Sequence, residues 1–277
     1  MIQRVTLLLI AGLFAACSTL PSPAERRTHA DTLAAVRGWQ GEVIPAGRFN
    51  LISYAPQYLV QASRLTVYIE GDGFAWLNNS TPSTDPTPRD PLGLRLALAQ
   101  PAGNVAYLGR PCQYGHINPA ECPQRYWTQA RLAPEVIAAT DKAIDVLVAR
   151  FGATRLTLVG YSGGGAVAAL LAARRNDVDR LITVASNLDH RAWTTHHGVQ
   201  PLSGSLNPAD EVDKLRRVDQ WHLVGSEDRV VPPWLASSFA ERFSPTQRIV
   251  VEVKSGFDHQ CCWAEQWPSI WGNVTQQ

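Results

Sequence analysis

The chain has almost no net charge. Its 277 residues hold 25 basic and 24 acidic side chains, a balance of +1, and no basic run interrupts it. Such a surface offers nothing to nucleic acid or another polyanion. No internal repeat is present, which leaves repeat architectures out. Low-complexity segments are missing too, since 20 glycines and 19 prolines are ordinary for this length. The apolar run near the N-terminus, Val5 to Ala16, is too short to cross a bilayer as a helix. What is there is a chain 45% hydrophobic and 18% charged, enough for one large core.

The first twenty residues, MIQRVTLLLIAGLFAACSTL, carry one arginine, then the apolar run, then small residues. That is the layout of a secretory signal. Its ending, Ala15-Ala16-Cys17, resembles the lipobox of bacterial lipoproteins, with Phe14 standing where leucine is commoner. The resemblance implies that Cys17 is lipidated and becomes the new N-terminus. Ser18 in place of an aspartate implies the outer membrane. Residues 1–17 are thus expected to be a lipoprotein signal peptide, with an ordinary cleaved signal or an uncleaved anchor as the alternatives. Residues 18–40 are expected to form a tether and N-terminal segment with a first helix. Residues 41–277 are expected to form the domain of an exported, periplasm-facing protein held to the membrane by its lipid anchor.

Export bears on the other cysteines, Cys112, Cys122, Cys261 and Cys262. An even number in an oxidising compartment reads as two disulfides. A bond between neighbours 261 and 262 would close a strained ring. Cross-loop pairing of 112 and 122 with 261 and 262 is therefore expected, with reduced buried thiols as the alternative. Adjacent cysteines are poor metal-ligand spacing, and no metal site is expected.

From residue 41 onward, short β-rich runs alternate with helical ones. Two early strands meet at Pro45-Ala46-Gly47, and buried strands are expected at 65–70, 105–108, 155–160, 180–186, 220–225 and 247–254. Pro91, after Asp90 as cap, opens one helix; Pro134 opens another that Gly152 stops. Such alternation predicts a mostly parallel sheet with helices on both faces. Ligands then bind beyond the C-terminal ends of the strands, so the loops after 70, 109, 160, 186, 225 and 254 should share one face.

The stretch LTLVGYSGGGAVAALLAAR, residues 156–174, is the most informative. Gly160-Tyr161-Ser162-Gly163-Gly164 fits G-x-S-x-G between a strand and a helix, where a nucleophilic serine sits on a sharp turn flanked by small residues. A dinucleotide loop is the rival, but its fingerprint should start where the strand ends, and a serine occupies the place of its second glycine. A plain turn serine is the bland reading. Two later loops decide against it. Asp228, in GSEDRVVP, follows one strand, and His259, in SGFDHQ, follows the last. A serine needs a base, and the base an orienting acid. Glu227 and Asp258 are weaker candidates for the acid. The other histidines (29, 116, 190, 196, 197 and 222) do not follow the last strand.

With these motifs in this order, the chain resembles the α/β-hydrolase superfamily over roughly residues 41–277. The resemblance implies an α/β-hydrolase fold without a large lid, since the connection after 186 has no long apolar helix. It implies Ser162 as nucleophile, His259 as base and Asp228 as orienting acid, with no metal or organic cofactor. The N–H of Gly163 and of Asp72 or Gly73 would form the oxyanion hole, with Glu70 standing where the family usually has histidine. The implied partner is a small-molecule acyl substrate, most simply a carboxylic ester; peptidase, thioesterase and amidase chemistry use the same residues. The 110–127 loop, with Trp76, Trp193 and Trp263, is expected around the pocket. A catalytically silent binding or interaction module on the same fold is the competing function.

Overall fold

The computed structural model describes residues 20–78, 80–115 and 120–276. The signal segment with Cys17 lies outside the described residues, as does His116. Strands β1 (Trp39–Ala46) and β2 (Phe49–Pro56) pair antiparallel around Gly47, whose φ of 76° suits a residue without Cβ. Six strands then run parallel: β3 (Arg64–Ile69), β4 (Val105–Leu108), β5 (Arg155–Tyr161), β6 (Val178–Val184), β7 (Asp219–Gly225) and β8 (Ile249–Lys254). β2 lies antiparallel to β4, and the order is β1-β2-β4-β3-β5-β6-β7-β8. The expected mostly parallel sheet is therefore present, with the central strands feeding their C-terminal ends to one edge.

Helices cover both faces. On one lie α3 (Pro134–Phe151), α4 (Gly163–Ala172) and α7 (Pro233–Ala240); on the other lie α1 (Pro23–Val36), α2 (Leu92–Ala99) and α8 (Trp263–Gln276). Strand alternation sorts side chains between them: Leu156 and Leu158 of β5 join the α3–α4 core, and Val159 and Tyr161 join the α2–α8 core. α4 is buried on every side, which explains its run of glycine, alanine, valine and leucine. Pro134 opens α3, and Gly152 ends it in the left-handed conformation.

Three differences from expectation have physical causes. Pro91 caps α2 rather than starting it, and no side chain of its own loop bonds there; the buried carboxylate of Glu70 takes the N–H groups of Gly93 and Leu94 instead. The connection after β6, expected without a long apolar helix, also holds the polar helix α5 (His190–His197), because Asp189 accepts from the N–H groups of Arg191 and Ala192 as a cap and Gly198 closes it. A four-residue helix α6 (Val212–Leu215) follows.

The third is a correction. The cysteines do not pair across loops: Cys112 bonds Cys122, with Cα atoms 5.6 Å apart, and Cys261 bonds Cys262. Cys112 and Cys122 pack into the α3–α4 core beside Tyr126, whereas residues 261–262 lead into α8 on the opposite face. In the sheet order, β3, β5, β6 and β7 stand between β4, which the first pair follows, and β8, which the second pair follows.

α8 is held by tryptophan. Trp267 is fully buried, and its indole N–H donates to the Tyr68 hydroxyl of β3 at 2.8 Å, which in turn donates to Gln100. Trp267→Phe is expected to cost about 1–2 kcal/mol, mainly the lost donor, and Trp267→Ala about 3–5 kcal/mol through the cavity. Urea unfolding midpoints of the two variants check the ranking.

Candidate active site

β5 delivers Ser162 to the sheet edge. The residue has φ 51° and ψ −123°, a strained region for any side chain. Its N–H donates to the Val184 carbonyl at the end of β6. The glycines around it leave no room for anything else. A Cβ on Gly160 would overlap the Gly164 carbonyl, one on Gly164 would overlap the carbonyls of Ile69 and Glu70, and one on Gly165 would overlap the Ser186 hydroxyl. Gly165 thus serves close packing of the helix start.

The loops after β7 and β8 bring Asp228 and His259 to this serine. His259 Nε2 lies 3.0 Å from Ser162 Oγ, and His259 Nδ1 lies 2.9 Å from Asp228 Oδ2. Asp228 is buried, and its other oxygen accepts from the N–H groups of Val230 and Val231, both at 2.8 Å. One carboxylate oxygen is therefore fixed by backbone and the other faces the imidazole. The two loops are sewn together: Glu227 N–H donates to the Phe257 carbonyl, and Tyr161 donates to the His259 carbonyl at 3.2 Å. Asp258 points elsewhere, and its Oδ1 accepts from Gln260 and Cys261 at 2.7 Å; these bonds hold its carboxyl below the usual range. His222, inside β7, is fully buried, and burial pushes its imidazole down to about 3. It is a neutral core residue.

The turn after β3 faces the serine from the other side. Gly71 packs against Tyr161 and Ser162, and a Cβ on Gly163 would overlap the Asp72 carboxylate. The Asp72 side chain is thus beside Gly163, and Gly73, at φ 66°, lines the same cavity. Sequence reasoning missed what the Asp72 side chain does. It receives Arg110 at 3.3 Å and Arg131 at 2.6 Å. Burial alone would raise this carboxyl; Arg131 and Arg110 outweigh it and hold the group below its usual range. The missed signal was two arginines flanking the long loop.

Glu70 is the second surprise. It is buried, and its carboxylate accepts from Gly71 at 2.9 Å, Gly93 at 3.1 Å and the Tyr107 hydroxyl at 3.1 Å. Burial dominates over these donors and pushes the carboxyl up to about 7. Glu70 therefore ties the turn at 71–73 to the start of α2.

These groups open into a cavity of about 730 Å³. Phe74, Trp76, Trp193, Leu202 and Val230 give it apolar walls, and Arg131, Asn187 and Gln260 give it polar ones. Trp263, expected here, is instead packed on Phe257 with its N–H on the Asp258 carbonyl. The described part of the 110–127 loop does not line the cavity either. Tyr114 is buried against Tyr107, and Trp127 donates to the Ser83 carbonyl, so the loop folds down behind the wall. Among the described residues no group of three or more His, Cys, Asp or Glu is placed to hold a metal ion.

The family described as alpha/beta hydrolase fold matches residues 114–220 of this chain. No curated protein matches it. Among solved structures, the chain is similar to Est1E from Butyrivibrio proteoclasticus, with a TM-score of 0.59 at 15% identity over 86% of this chain and 99% of that one. It is also similar to an esterase of Pyrococcus furiosus, with a TM-score of 0.60 at 12% identity over 86% and 90%. A proline iminopeptidase of Mycobacterium smegmatis gives 0.58 at 14% identity over 86% and 97%. The chain has the α/β-hydrolase fold.

Glu70 makes a testable contribution to stability. Its carboxyl sits at about 7 in the fold against an ordinary value of 4.5, so between these the folded chain keeps a proton that the unfolded chain releases. That stability is fully present at low pH and is lost as pH rises through about 7. Glu70→Gln is expected to flatten the fall in unfolding free energy between roughly pH 4.5 and pH 7 by a few kcal/mol. Chemical denaturation across that range reads it; an unchanged slope would put the titration elsewhere.

Proposed function

We propose that the protein is a serine hydrolase that transfers an acyl group from a carboxylic ester to Ser162 and then to water. The observation that carries this reading is the hydrogen-bonded chain Asp228–His259–Ser162, at 2.9 and 3.0 Å, opening on the cavity. The esterase of Pyrococcus furiosus among the structural neighbours supports ester chemistry.

In this mechanism Ser162 Oγ attacks the ester carbonyl as its proton passes to His259 Nε2. The carbonyl electrons move to oxygen, and the oxyanion is received by the N–H of Gly163 and of the Asp72–Gly73 turn. Gly163 stands at the positive end of the ten-residue helix α4, which adds to the field. The oxyanion collapses, the alcohol leaves with the proton from His259, and an acyl-serine remains. Water then gives its proton to the same nitrogen as it attacks, and the second oxyanion collapses, releasing the acid as that proton returns to Ser162 Oγ. Asp228 holds the imidazole with Nδ1–H toward itself and stabilises the imidazolium.

Asp72 would repel an oxyanion if it stood alone. Two guanidiniums for one carboxylate reverse the local sign, so the wall beside Gly163 is net positive. We further propose that the enzyme works at the cell envelope, anchored through lipidated Cys17.

Ser162→Ala is expected to abolish turnover of a soluble aryl ester and labelling by a fluorophosphonate; labelling that persists in the variant removes Ser162 from the role. Asp228→Asn should lower kcat by about 10³–10⁴-fold. Arg131→Met should lower kcat on the order of tenfold while changing KM less, because it uncovers a carboxylate where charge develops. Steady-state kinetics on the aryl ester separates the two parameters.

A further inference from the structure

The N-terminal helix is fastened to the mouth of the Ser162 cavity. Arg26 of α1 is 5% exposed, donates to the carbonyls of Asp85 and Thr87, and pairs with the Asp85 carboxylate at 3.4 Å. Its guanidinium also lies over the Phe74 ring at 5.3 Å. Phe74 and the adjoining Pro88 and Arg89 line the cavity, and so does Pro21, just before α1. The chain therefore leaves the domain at the rim of the cavity.

From Cys17 to Pro21 is four residues, a reach of at most about 14 Å. A globule of this length has a radius of gyration of roughly 19 Å and is more than 40 Å across. A lipid on Cys17 cannot reach a membrane on the far side. The rim is also apolar where it meets solvent: Leu20 is 54% exposed, Leu77 49%, Val230 45% and Trp76 39%. Tryptophan with its ring half out of the protein suits the boundary of a bilayer. Arg89 adds a guanidinium with no ion-pair partner among the described residues, stacked on Phe74 at 5.7 Å and suited to lipid phosphates.

We propose that this rim rests on a phospholipid bilayer, and that the cavity takes an ester lying in the membrane. The inference builds on the lipid anchor and the hydrolase reading, and deepens both by naming the surface and the substrate class. Leu20 and Leu77 touch lipid, Arg89 meets headgroups, and Ser162 stands behind them.

The test uses the full lipidated chain on vesicles of phosphatidylethanolamine and phosphatidylglycerol containing a nitroxide lipid. A fluorophore at Leu77→Cys is compared with one at Tyr58→Cys, which is 86% exposed ahead of β3, at the opposite end of the strands. Quenching several-fold stronger at 77 is expected. Equal quenching overturns the proposal, as does a wild-type chain that fails to float with the vesicles. A label at 77 shielded from aqueous iodide yet untouched by the lipid nitroxide means a protein partner covers the rim, and also overturns it. The double variant Leu20→Asp, Leu77→Asp changes exposed side chains outside the cavity. It is expected to lower turnover of a long-chain diacylglycerol in the vesicles roughly fivefold or more, leaving a soluble aryl ester within about twofold. Both rates unchanged, or both falling together, contradict the proposal. A wild-type chain that cleaves neither ester but keeps the quenching contrast sinks the hydrolase reading and leaves the docking standing.

Discussion

Ser162 turns out of β5 at φ 51°, and the surrounding sheet allows it no relaxation. Such a backbone costs about 1–3 kcal/mol and persists only where neighbours over-determine it. Here they do. The serine N–H is bound to β6, the following carbonyl accepts from Gly165, and three glycines fill the only space a side chain would need. The hydroxyl consequently stands clear of the sheet edge, where loops from β7 and β8 can reach it. Asp228 and His259 need no special segment of their own; they need only follow strands parallel to β5.

The same geometry brings carboxylates close together, and each is handled differently. Asp228 faces two backbone N–H groups and an imidazole. Asp72 is over-compensated by two arginines. Glu70 has only dipoles around it, so burial prevails and its carboxyl moves up to about 7. Glu70 and Asp72, two residues apart, thus shift in opposite directions because their partners differ in charge.

The sequence made the sheet, the glycine elbow and the chain order of Ser162, Asp228 and His259 readable, because each follows a local pattern: a buried run, a turn, a helix start. What it hid is relational. Nothing near Asp72 announces Arg110 or Arg131, which meet it only after β4 is laid beside β3. The cysteine pairing is hidden as well, because ring strain between neighbours says nothing of the four strands that separate the loop after β4 from the loop after β8. Trp263, four residues past His259, opens α8 with its ring turned into the core against Phe257 rather than toward the cavity, an orientation that no local pattern announces. α5 was overlooked since its residues are polar and its cap, Asp189, reads as one more loop acid.

The N-terminal segment shows how far a short stretch can govern a site it does not join. Burying a guanidinium is unfavourable unless it is paired and fully bonded. Arg26 meets most of that demand: its terminal nitrogens reach two carbonyls and one carboxylate and its plane an aromatic face, all from the 74–87 region, while its buried Nε has no partner. The dependence runs both ways. Without α1 those carbonyls lose a buried donor and Asp85 its partner, so the wall carrying Phe74 and Trp76 loses a support. The helix is therefore a brace for the cavity mouth, and the residues that precede it start from a fixed point at its rim.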